Sequence, residues 1–321
     1  MTGSKTRLLA ALALCGAATF AQAQAPIKIG FIAELSGPQG ALGQDQYDAF
    51  MMVVERNGGK LGGVPVQVLR EDSQLKPDVA TQIVQKLIEK ENVPIITGVT
   101  FSNIMMAVQK PITEKGVFLI GSNAGPAPIA GAQCSPYQFI VSWQNDNQAE
   151  VVGKYATDKG YKKVIAMAPN YQAGKDFVAG FKRMYKGEVI DEIYTPLNQP
   201  DFSAELAQVA AKNPDAVYVF YPGGLGVNFV RQYQQAGLLG KIPLLSSSTT
   251  DGSTLPAQKE TALGVISGTN VTSNRIALNA VAGSITDANV AALNVEETVA
   301  GAITSLSLRA GTIIGGAGGT T

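Results

Sequence analysis

Short apolar segments rich in β-branched residues recur along the chain from Ile27 to about Asn270. The intervals between most of them show helical periodicity, as where Tyr47, Phe50 and Val54 recur on one face of a predicted helix. Strands that alternate with helices of this length predict βαβ units and parallel sheets. The predicted strands are IKIGFIA, VPVQVLR, VPIITGV, VFLIGS, FIVSW, KVIAMA, VIDEIYT, AVYVFY and IPLLSS.

The pattern divides into two blocks, and the Gly- and Pro-rich segment GSNAGPAPIAGAQCSPY lies between them. We predict an α/β protein with two Rossmann-like lobes, each built on a parallel sheet wrapped in helices. Lobe 1 is predicted over residues 24–142 and lobe 2 over residues 143–265. The length of 321 residues agrees with about two domains.

The N-terminal segment, residues 1–23, has the three-part pattern of a secretory signal peptide. Two basic residues, Lys5 and Arg7, precede an apolar run, and the small-residue site AQA follows it. A lipoprotein signal that ends at Cys15 is the alternative, but the bulky Leu14 stands where a small residue is normally needed. Cleavage after the AQA site leaves Cys134 as the single cysteine, which we expect to pack as an apolar residue.

The charge balance and the absence of histidine exclude several classes of function. With 25 basic and 25 acidic residues the chain has no electrostatic footprint for nucleic acid. Because the chain contains no histidine, it lacks the commonest general base and the commonest metal ligand. A Ser-His or Cys-His nucleophilic pair is therefore impossible.

The first predicted strand leads into a loop with glycines at Gly37, Gly40 and Gly43, which raises the question of a phosphate cradle. Their spacing differs from the G-x-G-x-x-G fingerprint of dinucleotide-binding proteins. A P-loop needs Lys followed by Ser or Thr, and Gln44-Asp45 stands there instead. The segment PGGLGVN, which begins at Pro222, matches neither pattern. We therefore predict no nucleotide cofactor.

Carboxylate pairs of the glycosidase type are the catalytic arrangement that the sequence leaves open. The candidates Glu34, Asp72, Asp146 and Asp251 are nevertheless expected to be turn or helix-cap residues. An exported α/β protein without histidine is better suited to binding a small molecule than to transforming it. We predict a non-catalytic binding protein with no cofactor and no metal, and a hydrolase is the distant alternative.

Small polar residues follow most of the predicted strands. In open α/β sheets the ligand binds outside the carboxyl ends of the strands. Free backbone N–H groups at the starts of the following helices favour an anion there, and a carboxylate is as suitable as a phosphate. The candidate segments are Ser36–Gly37, Thr100–Asn103, Ser122–Gly125, Asn170–Tyr171, Gly223–Gly226 and Ser246–Ser248.

Residues 26–270 resemble the leucine/isoleucine/valine-binding family of periplasmic solute-binding proteins. The resemblance is carried by the opening segment and by VPIITGVTFSN, GVFLIGSNAGPAPIAG, WQNDN, VIAMAPNYQAGKDFVAGF, DFSAELAQVAAKNPDAVYVFYPG and ALGVISGTN. It implies a type I clamshell of two lobes with three hinge crossings and a ligand in the cleft. It also implies a periplasmic, monomeric protein that presents its ligand to the membrane permease subunits of an ABC importer.

The resemblance also implies where the ligand is held. Ser102 matches a serine that holds the ligand carboxylate, although it is also a candidate helix cap. Tyr171 matches an aromatic residue of lobe 2, and Leu42 matches a wall from the opening loop. Trp143 is either a packed hinge residue or a wall of the cleft. The remaining candidates are Phe101, Asn103, Asn123, Ala124, Gly125, Gly223, Gly224, Leu225 and Ser248.

Two departures from the family bear on the ligand. Ser248 stands about where amino-acid binders carry a carboxylate for the ligand ammonium, and Gly125 stands where they carry Ser or Thr. Since a buried ammonium without a counter-charge is costly, we expect a carboxylate ligand without an amine. The segments NAGP, WQNDN and APNYQAGKD resemble the branch that binds aromatic acids such as benzoate. An amino-acid ligand and a ligand-sensing receptor domain are the alternatives.

The C-terminal part, residues 266–321, is atypical. After Asn270 the resemblance stops, and residues 271–321 contain no Phe, Tyr, Trp, Pro or Lys. Our hypothesis is that a frameshift replaced the helices that would return to lobe 1, which would leave apolar surface exposed there. The alternative is a diverged C-terminus that still folds onto lobe 1.

Overall fold

Two mainly parallel sheets form the centres of two α/β lobes. The structure is a computed structural model that describes residues 25–268 and, beyond them, only the backbone of short strands between residues 271 and 314. The first sheet contains β1 Ile27–Ala33, β2 Lys60–Leu61, β3 Val64–Asp72, β4 Ile95–Gly98, β5 Phe118–Gly121 and β6 Gln138–Ile140. The second contains β7 Lys163–Pro169, β8 Glu188–Thr195, β9 Ala216–Val219, β10 Leu244–Ser247 and β11 Val265–Gly268.

Both sheets have the same strand order. The first is ordered β2-β3-β1-β4-β5-β6 and the second β11-β10-β9-β7-β8, and within these sheets only the short β2–β3 pair is antiparallel. The shared order, 2-1-3-4-5 after removal of β2, is that of a doubly wound sheet. The predicted two-lobed α/β fold is confirmed. The last strand, β11, runs past residue 265, where lobe 2 was predicted to end.

Helices connect the strands and cover the sheets. They are α1 Gly40–Arg56, α2 Pro77–Gln85, α3 Ser102–Thr113, α4 Asn145–Asp158, α5 Gln172–Met184, α6 Ser203–Lys212, α7 Gly223–Gln235 and α8 Leu255–Gln258. A π-helical turn, Lys86–Lys90, extends α2, and 3-10 turns lie at Ala127–Ala130 and Lys259–Ala262. No helix in the described part of the chain is both long and apolar enough to cross a bilayer.

Each sheet buries apolar side chains against its helices. In lobe 1, α2 and α3 cover one face, where Leu87, Ile96 and Ile104 are fully buried. In lobe 2, α4 and α5 cover one face and α6 and α7 the other, so that both faces of the sheet are buried. This two-sided burial is the reason that the strands of lobe 2 are apolar at successive positions.

The other face of the first sheet is covered only in part by α1 within the described residues. Phe31 on this face packs against Tyr47 and Phe50 of α1. Phe31 is aligned across β4 and β5 with Phe139 of β6, so both rings lie on one face. Towards β6 this part of the lobe exposes an apolar patch, which consists of Phe118, Tyr137, Phe139 and Val141.

Two predicted segments lie outside the described residues. The predicted signal peptide, 1–23, is one of them, and most of the atypical tail, 266–321, is the other. The strands described in the tail form parallel pairs, Val271–Thr272 with Val295–Glu296, Arg275–Asn279 with Ser305–Arg309, and Ser284–Thr286 with Thr312–Ile314.

Within lobe 1 the expectation that Cys134 is packed is wrong, because its loop leaves it exposed.

Candidate ligand-binding site

A cavity lies between the lobes, at the carboxyl ends of β1 and β4 on one side and of β7 and β9 on the other. The empty space between its walls is about 540 Å³, a value that includes open solvent at its mouth. The position follows the rule for doubly wound sheets, in which ligands bind where the strand order reverses. The lining residues are Leu42, Thr100, Phe101, Ser102, Asn123, Ala124, Trp143, Asn145, Tyr171, Ala173, Phe177, Phe220, Pro222, Gly223, Ser248 and Asp251.

Helix N-termini converge on this cavity. The first residues of α3, α4 and α7, which are Ser102, Asn145 and Gly223, all line it, and so does Ala173 in the first turn of α5. Helix N-termini carry free N–H groups and a partial positive charge. The cavity can therefore stabilise an anion although none of its described lining residues is Lys or Arg.

A strained turn places the lobe 1 half of the site. Val99, directly after β4, has a φ of 60°, a left-handed conformation that is costly for a β-branched residue. The turn directs Thr100 to Ser102 into the cavity. The side chain of Gln46 then accepts a hydrogen bond from the Thr100 hydroxyl at 2.8 Å. Asn123 donates its side-chain amide to the Thr100 carbonyl at 2.7 Å, so the loops after β4 and β5 are held together.

Ser102 has a hydroxyl proton available for a ligand. The hydroxyl oxygen accepts a hydrogen bond from the side-chain amide of Asn145 at 3.1 Å, and both residues are buried. The N-cap of α3 is Phe101, and no side chain caps this helix, so the cap interpretation of Ser102 is wrong. Among the described residues the buried hydroxyl has no acceptor of its own, so it can donate to a carboxylate in the cavity.

Aromatic rings form much of the remaining wall. In lobe 2, Phe177 stacks on Phe220 with ring centroids 3.8 Å apart, and Phe220 stacks on Tyr171 at 6.4 Å. Phe101 of lobe 1 lies 6.2 Å from the Tyr171 ring. Burial raises the pKa of the Tyr171 phenol, so this residue is neutral at physiological pH. Flat apolar walls of this kind suit a flat apolar ligand.

The opening loop of lobe 1 packs directly against the start of α7 in lobe 2. Gly223 has a φ of +56°, and a Cβ there would meet the Leu42 side chain at 2.9 Å. A Cβ at Gly224 would meet the Pro38 carbonyl oxygen at 2.8 Å. The two lobes thus enclose the cavity, and the glycines of α7 allow the close approach.

The crossover between the lobes runs through Trp143. The loop Asn123–Gly125 is attached to this crossover, because Ser142 donates its hydroxyl to the Asn123 carbonyl at 3.0 Å and Asn145 donates its backbone N–H to the Gly125 carbonyl at 2.9 Å. Trp143 is 38% exposed and lines the cavity. The packed interpretation of Trp143 is therefore wrong, and its role as a wall of a ligand site stays a prediction.

At the far side of lobe 2, Ser248 and Asp251 line the cavity after β10. Ser248 has a φ of 51° and donates its hydroxyl to the Gln148 side chain at 3.0 Å. Asp251 carries the one formal charge among the described lining residues, and its Oδ1 accepts the backbone N–H groups of Ser253 at 2.9 Å and Thr254 at 3.2 Å. Asp251 thus acts as the turn residue that the sequence indicated.

Glu34 was expected to be a turn or helix-cap residue, but its side chain is buried. It follows β1 directly and is fully buried. Its Oε1 accepts the Ser73 hydroxyl at 2.7 Å, whereas Oε2 has no partner among the described residues. Burial raises the pKa of the Glu34 carboxyl above its ordinary value. Of the other two carboxylates, Asp72 accepts the backbone N–H of Leu35, and Asp146 forms an ion pair with Arg183.

The structure brings most of the predicted site residues together at the cavity. These are Leu42, Phe101, Ser102, Asn123, Ala124, Trp143, Tyr171, Gly223 and Ser248. Asn103, Gly125, Gly224 and Leu225 are outside the lining. Gly125 contacts the crossover, and Gly224 contacts the opening loop. Leu225 lies on the buried face of α7, so its side chain packs in the core of lobe 2. A role of any of these residues in binding stays a prediction.

Sequence reasoning missed several residues that line the cavity. Phe220 follows β9 directly, so the rule that ligands bind at strand ends could have found it. Asn145 stands in the quoted segment WQNDN at the start of α4. Phe177 lies inside α5, and no pattern in the sequence distinguishes it from an ordinary core residue.

The family model described as "Periplasmic binding protein" matches residues 26–295. The chain belongs to this family. The match continues past residue 270, where the sequence analysis placed the end of the resemblance. A Leu/Ile/Val-binding protein homolog 6 of Brucella melitensis is 30% identical over 265 residues, which are 80% of this chain and 67% of the relative.

Solved structures of aromatic-acid-binding proteins are similar to this chain. A solute-binding protein of an ABC transporter from R. palustris, in complex with benzoate, has a TM-score of 0.71 and 32% identity over 74% of this chain and 66% of that protein. Another, from Rhodopseudomonas palustris BisB5 in complex with 3,4-dihydroxybenzoic acid, has a TM-score of 0.70 and 29% identity over 75% of this chain and 67% of its own. The chain spans about two thirds of the length of these relatives. The family and these neighbours are solute-binding transport proteins.

Proposed function

We propose that this protein is the solute-binding component of an ABC importer and that its cleft binds a small aromatic carboxylate. The observation that carries this proposal is the composition of the cavity wall. The hydroxyl of Ser102 and the N-termini of α3 and α7 provide donors for an anion, and aromatic rings form the adjoining wall. An aromatic acid needs both kinds of surface.

The lack of a free acidic group at the Ser248 position supports a ligand without an amine. Ser248 itself donates to Gln148. The nearby Asp251 has backbone donors on its carboxylate, so part of its charge is already compensated. The neighbours in complex with benzoate and 3,4-dihydroxybenzoic acid support the same ligand class.

A second candidate ligand is an aliphatic amino acid. Two observations favour it: Asp251 lines the cavity and could face an ammonium group, and the Brucella relative is described as a Leu/Ile/Val-binding protein homolog. The two ligand classes share the carboxylate and differ in the amine.

A panel of ligands distinguishes the two classes. Benzoate, 4-hydroxybenzoate, leucine and valine are each added to the purified protein, and the melting temperature and the heat of binding are measured. We expect the benzoates to stabilise the protein by about 2.7 kcal/mol at 100 times the dissociation constant. Stabilisation by leucine or valine without any response to the benzoates would contradict the aromatic assignment.

The remaining parts of the proposal concern partners and chemistry. We propose that the protein acts as a periplasmic monomer, delivers its ligand to permease subunits and performs no reaction. Light scattering of the purified protein tests the monomer, and transport of labelled benzoate into cells with and without the gene tests the importer. Turnover of aromatic esters by the purified protein would contradict a purely binding role.

A further inference from the structure

Asp176 is a buried carboxylate beside the cavity. It lies on α5 in lobe 2 and is 6% exposed. Its Oδ1 accepts the side-chain amide of Gln172 at 2.7 Å, and its Oδ2 accepts the backbone N–H of Ala127 and the side-chain amide of Asn145, each at 3.0 Å. All three donors are neutral. A buried carboxylate held in this way calls for an explanation, because burying a charge is costly.

Asp176 is connected to the carboxylate-binding hydroxyl through one side chain. The Nδ2 group of Asn145 donates both to Asp176 Oδ2 and to Ser102 Oγ. An asparagine amide has two N–H groups on this atom and a carbonyl oxygen that can only accept. Both N–H groups of Asn145 are therefore directed, one to the carboxylate of lobe 2 and one to the hydroxyl of lobe 1.

Asp176 also joins the lobes. Ala127 begins the 3-10 turn of lobe 1 that follows the loop Asn123–Gly125, whereas Asp176 belongs to α5 of lobe 2. Their hydrogen bond and the bond between Asn145 and Ser102 both connect the lobes beside the cavity.

We infer that Asp176 is a positioning residue that couples recognition of the ligand carboxylate to closure of the lobes. The Asp176 carboxylate can only accept, so it fixes the orientation of the Asn145 amide. Because the Asn145 amide donates an N–H to Ser102, the Ser102 hydroxyl oxygen acts as the acceptor in this bond. The hydroxyl proton is then left for the ligand carboxylate. The inference rests on the proposed function, because it assigns Ser102 to the ligand carboxylate.

Loss of the Asp176 charge would remove this orientation. In an Asp176→Asn variant the new side chain can donate as well as accept, so the Asn145 amide can turn and present its carbonyl oxygen to Ser102. The Ser102 hydroxyl would then donate to Asn145 and would no longer be available to the ligand. Hydrogen bonds to charged groups contribute enough that we expect about 10-fold to 100-fold weaker binding of benzoate.

A double-mutant cycle tests the inference. Affinity for benzoate is measured by calorimetry in the wild type, in Asp176→Asn, in Ser102→Ala and in the double variant. If Asp176 acts through Ser102, its substitution costs much less affinity in the Ser102→Ala protein than in the wild type. Equal losses in the two backgrounds would show a merely structural role and would overturn the inference. Asp158→Asn, an exposed residue of α4, is the control and should leave affinity unchanged.

A second variant tests the connection between the lobes without a change in Asp176. Ala127→Pro removes the backbone N–H that Asp176 accepts. The preceding Pro126 already has the extended backbone, φ −62° and ψ 134°, that a following proline requires. Fluorescence of Trp143, the single tryptophan, reports on the crossover. We expect release of benzoate to become about 3-fold to 10-fold faster, and an unchanged release rate would overturn the coupling to closure.

The outcomes separate this inference from the proposed function. If leucine binds and benzoate does not, the aromatic assignment fails, but the same cycle can be measured with leucine because its carboxylate would meet the same hydroxyl. Exchange of the Ala127 amide hydrogen needs no ligand. Faster exchange in Asp176→Asn than in the wild type supports the inference, and equal exchange contradicts it.

Discussion

Phe101 of lobe 1 and Tyr171 of lobe 2 lie on opposite sides of the cleft, with ring centroids 6.2 Å apart and ring planes tilted by 43°. Tyr171 also stacks on Phe220 at 6.4 Å, and its side chain packs against hydrophobic clusters of both lobes. One side chain thus contacts lobe 1, lobe 2 and the cavity. Closure of the lobes and the shape of the cavity wall depend on the same ring.

We expect Tyr171→Ala to weaken benzoate binding by about 10-fold or more, because it removes two aromatic contacts of about 0.5–1.5 kcal/mol each together with buried apolar area. Tyr171→Phe keeps the ring and should bind within about 3-fold of the wild type. Calorimetry on the three proteins measures both effects. If the Phe variant lost as much affinity as the Ala variant, the phenol oxygen and not the ring would be the important group.

We expect that the crossover between the lobes can pack against position 125 only if this residue is glycine. A Cβ at this position would meet the carbonyl oxygen of Trp143, so Gly125→Ser must displace the backbone of the crossover. We expect a loss of about 1–3 kcal/mol in the free energy of unfolding and a shifted Trp143 emission. Gly252→Ser is the matched control, since a Cβ at Gly252 has no neighbour within 4 Å. Chemical denaturation of both variants measures the difference, and equal stability would contradict the expectation.

The effect of Asp251→Asn on ligand affinity distinguishes an aromatic acid from an amino acid as the ligand. If the ligand lacks an amine, the substitution removes a negative charge beside the cavity, and benzoate affinity should stay the same or rise. If the ligand is an amino acid whose ammonium faces Asp251, affinity for leucine should fall by about 10-fold or more. Titration of the wild type and of Asp251→Asn with benzoate and with leucine gives the answer. A large loss of benzoate affinity would contradict the proposed site.

Glu34 should make the stability of the protein depend on pH. Burial raises the pKa of its carboxyl, so the folded state favours the protonated form. The stability that this proton provides is complete below the ordinary pKa of 4.5 and is lost as the pH rises through the raised folded value. Glu34→Gln carries no such proton. The wild type should therefore become less stable relative to Glu34→Gln as the pH rises above 4.5.

Melting temperatures of the wild type and Glu34→Gln between pH 4.5 and pH 8 measure this difference. Glu114→Gln serves as the control, because the Glu114 side chain is 64% exposed. Parallel pH profiles for the wild type and Glu34→Gln would show that Glu34 does not titrate in this range, and the prediction would then be wrong.

Secondary structure and fold class were accessible from the sequence, since they depend on local patterns. The β-branched segments match strands of both sheets, and Tyr47 and Phe50 share one helix face as predicted, which packs on Phe31. The strand β2 was missed because its two residues are too few to show a pattern. The strand β11 was also missed, although it has four residues, as many as the predicted strands β4 and β9.

The candidate site was accessible in part. Polar residues after strands marked Ser102 and Ser248, because the carboxyl ends of parallel strands share one edge. The burial of Glu34 was not accessible, since an acid directly after a strand looks the same whether its side chain meets solvent or the interior.

The sequence by itself determined the alternation of strands and helices, the parallel sheets, the absence of histidine chemistry and the polar strand ends. Only the tertiary structure decided which of these residues meet. Asn145 contacts Ser102 across 43 positions of the chain and Asp176 across 31. Such contacts depend on how the two lobes close, and the energy of a buried hydrogen bond arises only when its partners are brought together away from water. No local pattern contains that information.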